Sequence, residues 1–219
     1  MGAMPRRAAT TDPHIGRAPG RLALLQAFVN TLDIEQATDE LASAAALDDW
    51  LRSAGLTADS ADFADSADPA TTAVRSSSAG PADLALAVDL RETLRAVLRS
   101  HAPRRPAAPA TATSRLTEIA AAMPARIAAA ADGSIQVIAA GPGSQAGLTE
   151  LLLIAAEAQT LGTWDRLKVC SADDCQWAFY DGSPTRSGCW CSMQICGSRA
   201  KSRAYRQRSA TRAARVLER

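Results

Sequence analysis

The chain has 219 residues, 47% hydrophobic but only 4% aromatic, enough for one large or two modest domains with an alanine- and leucine-rich core. No run of 18 apolar residues occurs, which excludes a membrane-spanning helix. The net charge of +1 conceals an asymmetry, with 13 Lys+Arg against 18 Asp+Glu in residues 1–163 and 11 against 5 in residues 164–219. A mildly acidic body with a basic end is the distribution expected when only the end meets a polyanion.

In chain order, residues 1–20 read as a disordered N-terminus, since Pro5, Pro13, Pro19 and Gly20 punctuate a polar stretch. Their arginines are followed by no apolar stretch of the kind a secretory signal needs. Residues 21–33 are the first apolar run, a buried helix or strand in which Asn30 and Thr31 cap or turn the chain. Residues 38–55 read as an interrupted helix: Leu47, Trp50 and Leu51 give it an apolar face, Asp48 and Asp49 point outward, and Gly55 closes its C-terminus. Residues 57–80 are rich in Ala, Asp, Ser and Thr and predict a loose insertion.

Pro81 begins a strong helix with Leu84, Val88, Leu94, Val97 and Leu98 along one stripe and Arg91, Glu92, Arg95 and Arg99 expected on a solvated face. A Pro/Ala connector over 102–113 leads to a short helix from Ser114 to Met123. Two short strands, 126–130 and 135–139, are predicted to pair as a hairpin turning at Asp132-Gly133. GPGSQAG reads as a loop without the lysine of a P-loop. Residues 147–161 form a second strong helix with Leu151, Leu152, Ile154, Ala155 and Ala158 inward and Glu150 and Glu157 as surface charges. Gly162 and Trp164 mark the boundary with a cysteine-rich C-terminal segment.

All five cysteines lie within 27 residues. Cys170 and Cys175 make one C-x4-C pair, Cys191 and Cys196 a second, and fifteen residues separate them. Each pair sets two thiolates on one tight turn, and the intervening loop lets the turns face each other around a tetrahedral structural zinc ion. A disulfide framework is the rival, but it belongs to short secreted chains. Reduced thiols and the lack of an export signal point to the cytoplasm. Cys189 is equally eligible by distance along the chain; the symmetry of two x4 pairs favours Cys191. Four of the nine aromatic residues, Trp177, Phe179, Tyr180 and Trp190, fall here, and rings packed on the knuckles supply the core that so small a module lacks.

Four thiolates on one divalent ion leave a charge of about −2 that amides and cations must offset. Gly197 would let amides turn toward sulfur, a helix starting near Ser198 would aim its positive end at the cluster, and Arg186, Arg199 and Lys201 would add compensation. Beyond Ser198 the arm is polar all round. At helical spacing Lys201, Arg208, Arg212, Arg215 and Arg219 share one face, with Arg199, Arg203 and Arg206 roughly opposite.

The string C-x4-C-x-W-x-F-x-D-x-S followed by W-C-S-M-x-x-C-G-x-R-x-K resembles the CGNR zinc-finger family of bacterial proteins. It is carried here by Cys170, Cys175, Trp177, Phe179, Asp181 and Ser183, then Trp190, Cys191, Ser192, Met193, Cys196, Gly197, Arg199 and Lys201. The signature asparagine is replaced by Ser198, and Gly188 and Cys189 stand where members tend to be basic. In that family the finger follows a domain called ABATE, regarded as a stress-induced transcription regulator. Its opening is similar to Leu22-Ala23-Leu24 with Phe28-Val29-Asn30-Thr31, and its later pattern to Leu47, Trp50, Leu51 and Ala54-Gly55-Leu56.

Together these readings predict an α+β, mostly α protein. A helical ABATE-like domain with a small β-hairpin spans 21–163, and a four-cysteine zinc module with a basic helical extension spans 164–219. The expected function is zinc-containing, DNA-binding transcriptional regulation without enzymatic activity. Zinc ligands are Cys170, Cys175, Cys191 and Cys196, and DNA contacts are Arg199, Lys201, Arg203, Arg206, Arg208 and Arg212. The N-terminal domain would sense, dimerise or contact the transcription machinery. A protein-interaction module, for example toward RNA polymerase, and an RNA-binding protein remain the alternatives.

Overall fold

The computed structural model describes residues 16–56, 78–103 and 105–217. Among these, six α-helices carry the fold: α1 Leu22–Val29, α2 Ala44–Ser53, α3 Pro81–Ser100, α4 Ala110–Ala122, α5 Gly143–Thr160 and α6 Ser198–Leu217. Three two-stranded antiparallel sheets accompany them: β1 Leu32–Asp33 with β2 Thr38–Asp39, β3 Ala125–Ala129 with β4 Ile135–Ala139, and β5 Leu167–Val169 with β6 Ala178–Tyr180. The architecture is α+β and mostly helical, as the sequence predicts. Most of the expected insertion, residues 57–77, lies outside the described residues, as do residues 1–15.

The main core gathers apolar residues from α1, α2, α3 and α5 around Leu25, Phe28, Leu47, Leu51, Leu90, Leu94, Leu98, Leu148 and Leu151, all fully buried. Each such side chain contributes roughly 1.5–3 kcal/mol by leaving water, so this cluster dominates stability. The helix ends are locally specified. Ser43 Oγ accepts from Ala46 N–H to start α2. At its far end Gly55 adopts φ 66°, and Leu56 N–H returns to the Leu51 carbonyl at 2.9 Å, a left-handed cap that few other residues tolerate. Asp48, expected to face outward, instead accepts from Ala79 N–H at 2.8 Å and ties α2 to the approach of α3.

Two arginines expected in solvent are buried. Arg91 and Arg95 are 2% and 3% exposed, because α3 packs on three sides and each guanidinium is matched. Arg91 forks onto both Asp39 oxygens at 2.7 and 2.8 Å and also reaches Thr31 and Glu92. Arg95 donates to the carbonyls of Val29 at 2.6 Å and Gln176 at 2.8 Å, and to Glu92. Helix periodicity reports which face a residue occupies, and here that face is internal and lined with acceptors.

Other boundaries move. Helix α4 begins at Ala110, inside the expected connector. Helix α5 begins at Gly143, inside the expected loop, where Ser144 is buried and Gln145 Nε2 donates to the Ala122 carbonyl. The β3–β4 hairpin forms where predicted, turning through Asp132 and Gly133, and Ile127 pairs with Val137. Ile127, Val137 and Ile135 share one face and stay 76%, 57% and 70% exposed.

Residues 16–20, assigned to a disordered N-terminus, are tied into the fold through Gly16 and Ala18, although only Ala18 is buried. Ala18 is 4% exposed and donates to Gln26 Oε1, while Gly16 accepts from Tyr180 N–H at the edge of β6. Strands β5 and β6 lie against α3 and α1, and their Leu167, Val169 and Ala178 belong to the main core. The two regions distinguished in the sequence therefore share one hydrophobic centre.

Candidate metal centre and basic arm

Strands β5 and β6 bracket the first knuckle. Cys170 N–H donates to the Trp177 carbonyl and Cys175 N–H to the Ala172 carbonyl, closing the turn that holds the first pair. Of the second pair, Cys191 precedes and Cys196 lies on a π-helical turn, Met193–Gly197, started by Ser192, whose Oγ accepts from Ile195 N–H at 3.3 Å. Ser171 N–H bonds the Cys189 carbonyl at 2.9 Å and brings one knuckle to the other. Gly197 serves by its size: a Cβ there would lie 2.9 Å from Met193 Sδ and 3.4 Å from Trp190 Cδ1. Its own N–H donates to the Ser192 carbonyl at 3.0 Å.

The four sulfurs of Cys170, Cys175, Cys191 and Cys196 lie within 4.8 Å of one another, and all four residues are buried. Cys175 and Cys191 Sγ are 3.6 Å apart and Cys191 and Cys196 Sγ 3.7 Å. The edge of a zinc–thiolate tetrahedron is about 3.8 Å, whereas a disulfide needs about 2.05 Å. Alone, the set cannot ionise together. Hydrogen bonds from Cys175 and Cys191 hold the Cys170 thiol far below the ordinary range, while the bond to Cys170 pushes Cys175 and Cys191 up and burial raises Cys196. Ionising all four calls for a cation at their centre. The donor set fits a structural zinc ion.

Around the sulfurs, Trp177 and Phe179 are 6% and 4% exposed, with Trp190 and Ile195 packed against them. Tyr180 departs from the expected group of four rings and packs on the main core. Behind the knuckles Lys168 Nζ donates to Asp181 at 2.8 Å and to the Arg186 carbonyl at 2.5 Å. Burial would raise the Asp181 carboxyl, but Lys168 and the backbone N–H groups of Ser183 and Gly188 hold it well below the usual carboxylate range.

Residues 166–209 match the family model of the CGNR zinc finger, and residues 20–163 match ABATE, described as "Putative stress-induced transcription regulator". The chain belongs to the ABATE family. No curated protein matches it. As an ABATE protein with a CGNR finger it is a zinc-binding regulator.

The candidate DNA contacts of this ABATE protein all lie on α6 and divide by environment. Arg199 pairs with Glu35 at 2.8 Å, which raises the pKa of its guanidinium, and Arg203 pairs with Asp174 at 3.3 Å. Lys201, Arg206 and Arg208 are exposed, and Arg212 follows on the same helix. Arg186, considered for charge compensation, is exposed and meets Lys168 through its carbonyl.

Several supporting residues escape sequence reasoning. Asn30 and Gln26 of the ABATE segment both donate to the Ala178 carbonyl, in the first case at 2.9 Å. Arg95 holds the Gln176 carbonyl next to ligand candidate Cys175, and Arg105 holds that of Ser171. His101 stands edge-on to Trp164 and its Nδ1 bonds the Leu167 carbonyl at 2.8 Å. The available signal was polarity inside apolar runs, at Gln26, Asn30, Arg91 and Arg95, where a buried polar group needs a partner.

Proposed function

We propose that this ABATE protein is a DNA-binding transcription regulator whose zinc ion, held by Cys170, Cys175, Cys191 and Cys196, fixes the direction in which α6 leaves the body. The observation that carries this reading is the charge and exposure of that helix. Residues 198–219 hold eight Lys+Arg against one Glu, and Lys201, Arg206 and Arg208 are exposed. A helix with no apolar stripe gains little from packing, so positive charge spread along twenty helical residues is better matched to a phosphate backbone than to a core. Twenty residues extend about 30 Å, enough to follow a groove of duplex DNA. A site closed by four thiolates leaves no position for a substrate, so the metal here is structural and the protein acts by binding. Such thiols stay reduced in the cytoplasm.

The test is a mobility shift at moderate salt with the full chain and with a chain lacking residues 198–219. Zinc retained but duplex binding lost supports the reading; unchanged affinity overturns it. A second reading, a protein-interaction module, draws on the exposed apolar face of Ile127, Ile135 and Val137. Capture of a transcription component such as RNA polymerase, without affinity for nucleic acid, would favour it.

A further inference from the structure

A groove of about 550 Å³ runs beside the first turns of α6, lined among others by Ser198, Arg199, Ser202, Arg203 and Arg206. The three arginines stand at i, i+4 and i+7, so they share one stripe of the helix and repel one another. Two carboxylates from separate parts of the chain offset that repulsion. Glu35, in the turn between β1 and β2, takes Arg199, and Asp174, on the first knuckle, takes Arg203. Both pairs are solvent-accessible, the arginine side chains being 44% and 43% exposed. Pairs of that kind are weak and exchange readily. Guanidinium forks flanked by serine hydroxyls are the donor set that phosphate oxygens take, and phosphate meets them at least as well as carboxylate. Lys201 and Arg208 stand exposed on the opposite face of the same arm, so a run of phosphates that crosses the arm gains contacts that an isolated phosphate does not.

We propose that this groove seats one phosphodiester phosphate of nucleic acid, and that Glu35 and Asp174 hold its arginines until that phosphate displaces them. The proposal rests on the nucleic-acid reading of the arm and adds to it a contact between the ABATE segment and the binding surface. Displacing Glu35 releases α6 from the β1–β2 turn, while the strand that follows stays anchored to the helical body through Asp39 and buried Arg91.

The experiment measures anisotropy of a labelled random-sequence duplex, and of a labelled single-stranded RNA, with the zinc-loaded full chain over a salt series. Variants are Glu35→Gln with Asp174→Asn, Arg199→Gln with Arg203→Gln, and Glu157→Gln as a charge control on the remote exposed face of α5. Zinc content and circular dichroism check that each is folded. Removing both carboxylates is expected to tighten binding roughly 2- to 30-fold, the combined worth of two exposed pairs. Removing both arginines is expected to weaken it and to flatten the slope of log K against log salt by about 0.9, one phosphate's share on duplex DNA. No tightening, or equal tightening by Glu157→Gln, overturns the groove proposal and leaves the DNA reading standing. The same order of variants on RNA, with no duplex binding, sustains the groove and overturns the DNA reading. Absence of binding to either probe overturns both.

Discussion

The side chain of Asn30 pairs with both backbone groups of Ala178: Nδ2 donates to the carbonyl at 2.9 Å, and the Ala178 N–H donates to Oδ1 at 2.7 Å. Asn30 caps α1 and is 2% exposed, while Ala178 opens β6 of the finger. One amide thus replaces a neighbouring strand and stitches the ABATE segment to the zinc module. Asn30→Ala leaves the buried Ala178 N–H unmet, at about 1–3 kcal/mol, while the Ala178 carbonyl keeps its bond from Gln26. The expected loss is about 2 kcal/mol in urea unfolding. Because Leu167, Val169 and Ala178 share the main core, the variant should still melt in one transition seen by both tryptophan fluorescence and circular dichroism. Two separated transitions would show that the segments fold independently.

The zinc site makes its own prediction. With the four sulfurs at the centre of the second core, the cation supplies much of what holds the knuckles and the base of α6 together. A strong chelator should reduce the helical signal by the share due to α6, while α1 to α5, packed on leucines, persist. Cys175→Ser should lower the bound zinc well below one ion per chain by elemental analysis. Full occupancy in that variant would assign Cys189, two residues from Cys191, as a ligand in its place.

How much of the fold and the site was legible in the residues alone divides along a physical line. Signals carried by local geometry were readable: the paired C-x4-C knuckles, Pro81 at a helix start, Gly55 in its left-handed cap, and Asp132-Gly133 between alternating strands. What was not readable depends on partners distant in sequence. Arg91 and Arg95 look solvated on a helical wheel, and only the return of Asp39, Val29 and Gln176 explains their burial. The extent of packing at residues 16–20 was hidden for the same reason, since Gly16 meets Tyr180 across the chain. In α5, Gly-Pro-Gly composition masked a first turn that tertiary contacts hold. At the site, residue types and spacing identified the sulfurs, but not Ser192, whose hydroxyl starts the turn that presents Cys196.

Lys168 and Asp181 form an ion pair with side-chain exposures of 1% and 5% behind the knuckles. Asp181→Asn leaves the ammonium buried without its counter-charge, which costs about 3–5 kcal/mol. That is a large part of the total stability of an ordinary domain. Adding Lys168→Met to Asp181→Asn removes the orphaned charge, so the double variant should recover part of the loss. Chemical denaturation of the zinc-loaded proteins measures the coupling, and a double variant less stable than the sum of the single ones would contradict it.

The pairing of Asp39 with Arg91 sets a pH dependence of its own. Burial alone would raise the Asp39 carboxyl, but the Arg91 fork and the Leu41 N–H hold it below its ordinary value. A group with a depressed folded-state pKa contributes stability that is complete above its unfolded value, about 3.9, and is lost as pH falls through the folded one. Asp39→Asn should therefore cost about 2 kcal/mol near neutrality, the worth of hydrogen bonds to a charged partner. The gap between wild type and variant should stay constant from about pH 7 to 5 and narrow below about pH 4. Zinc release in acid acts on both proteins and cancels in the difference. Urea titrations across that range provide the measurement, and a gap that widens on acidification would mean that Arg91 does not set the charge of Asp39.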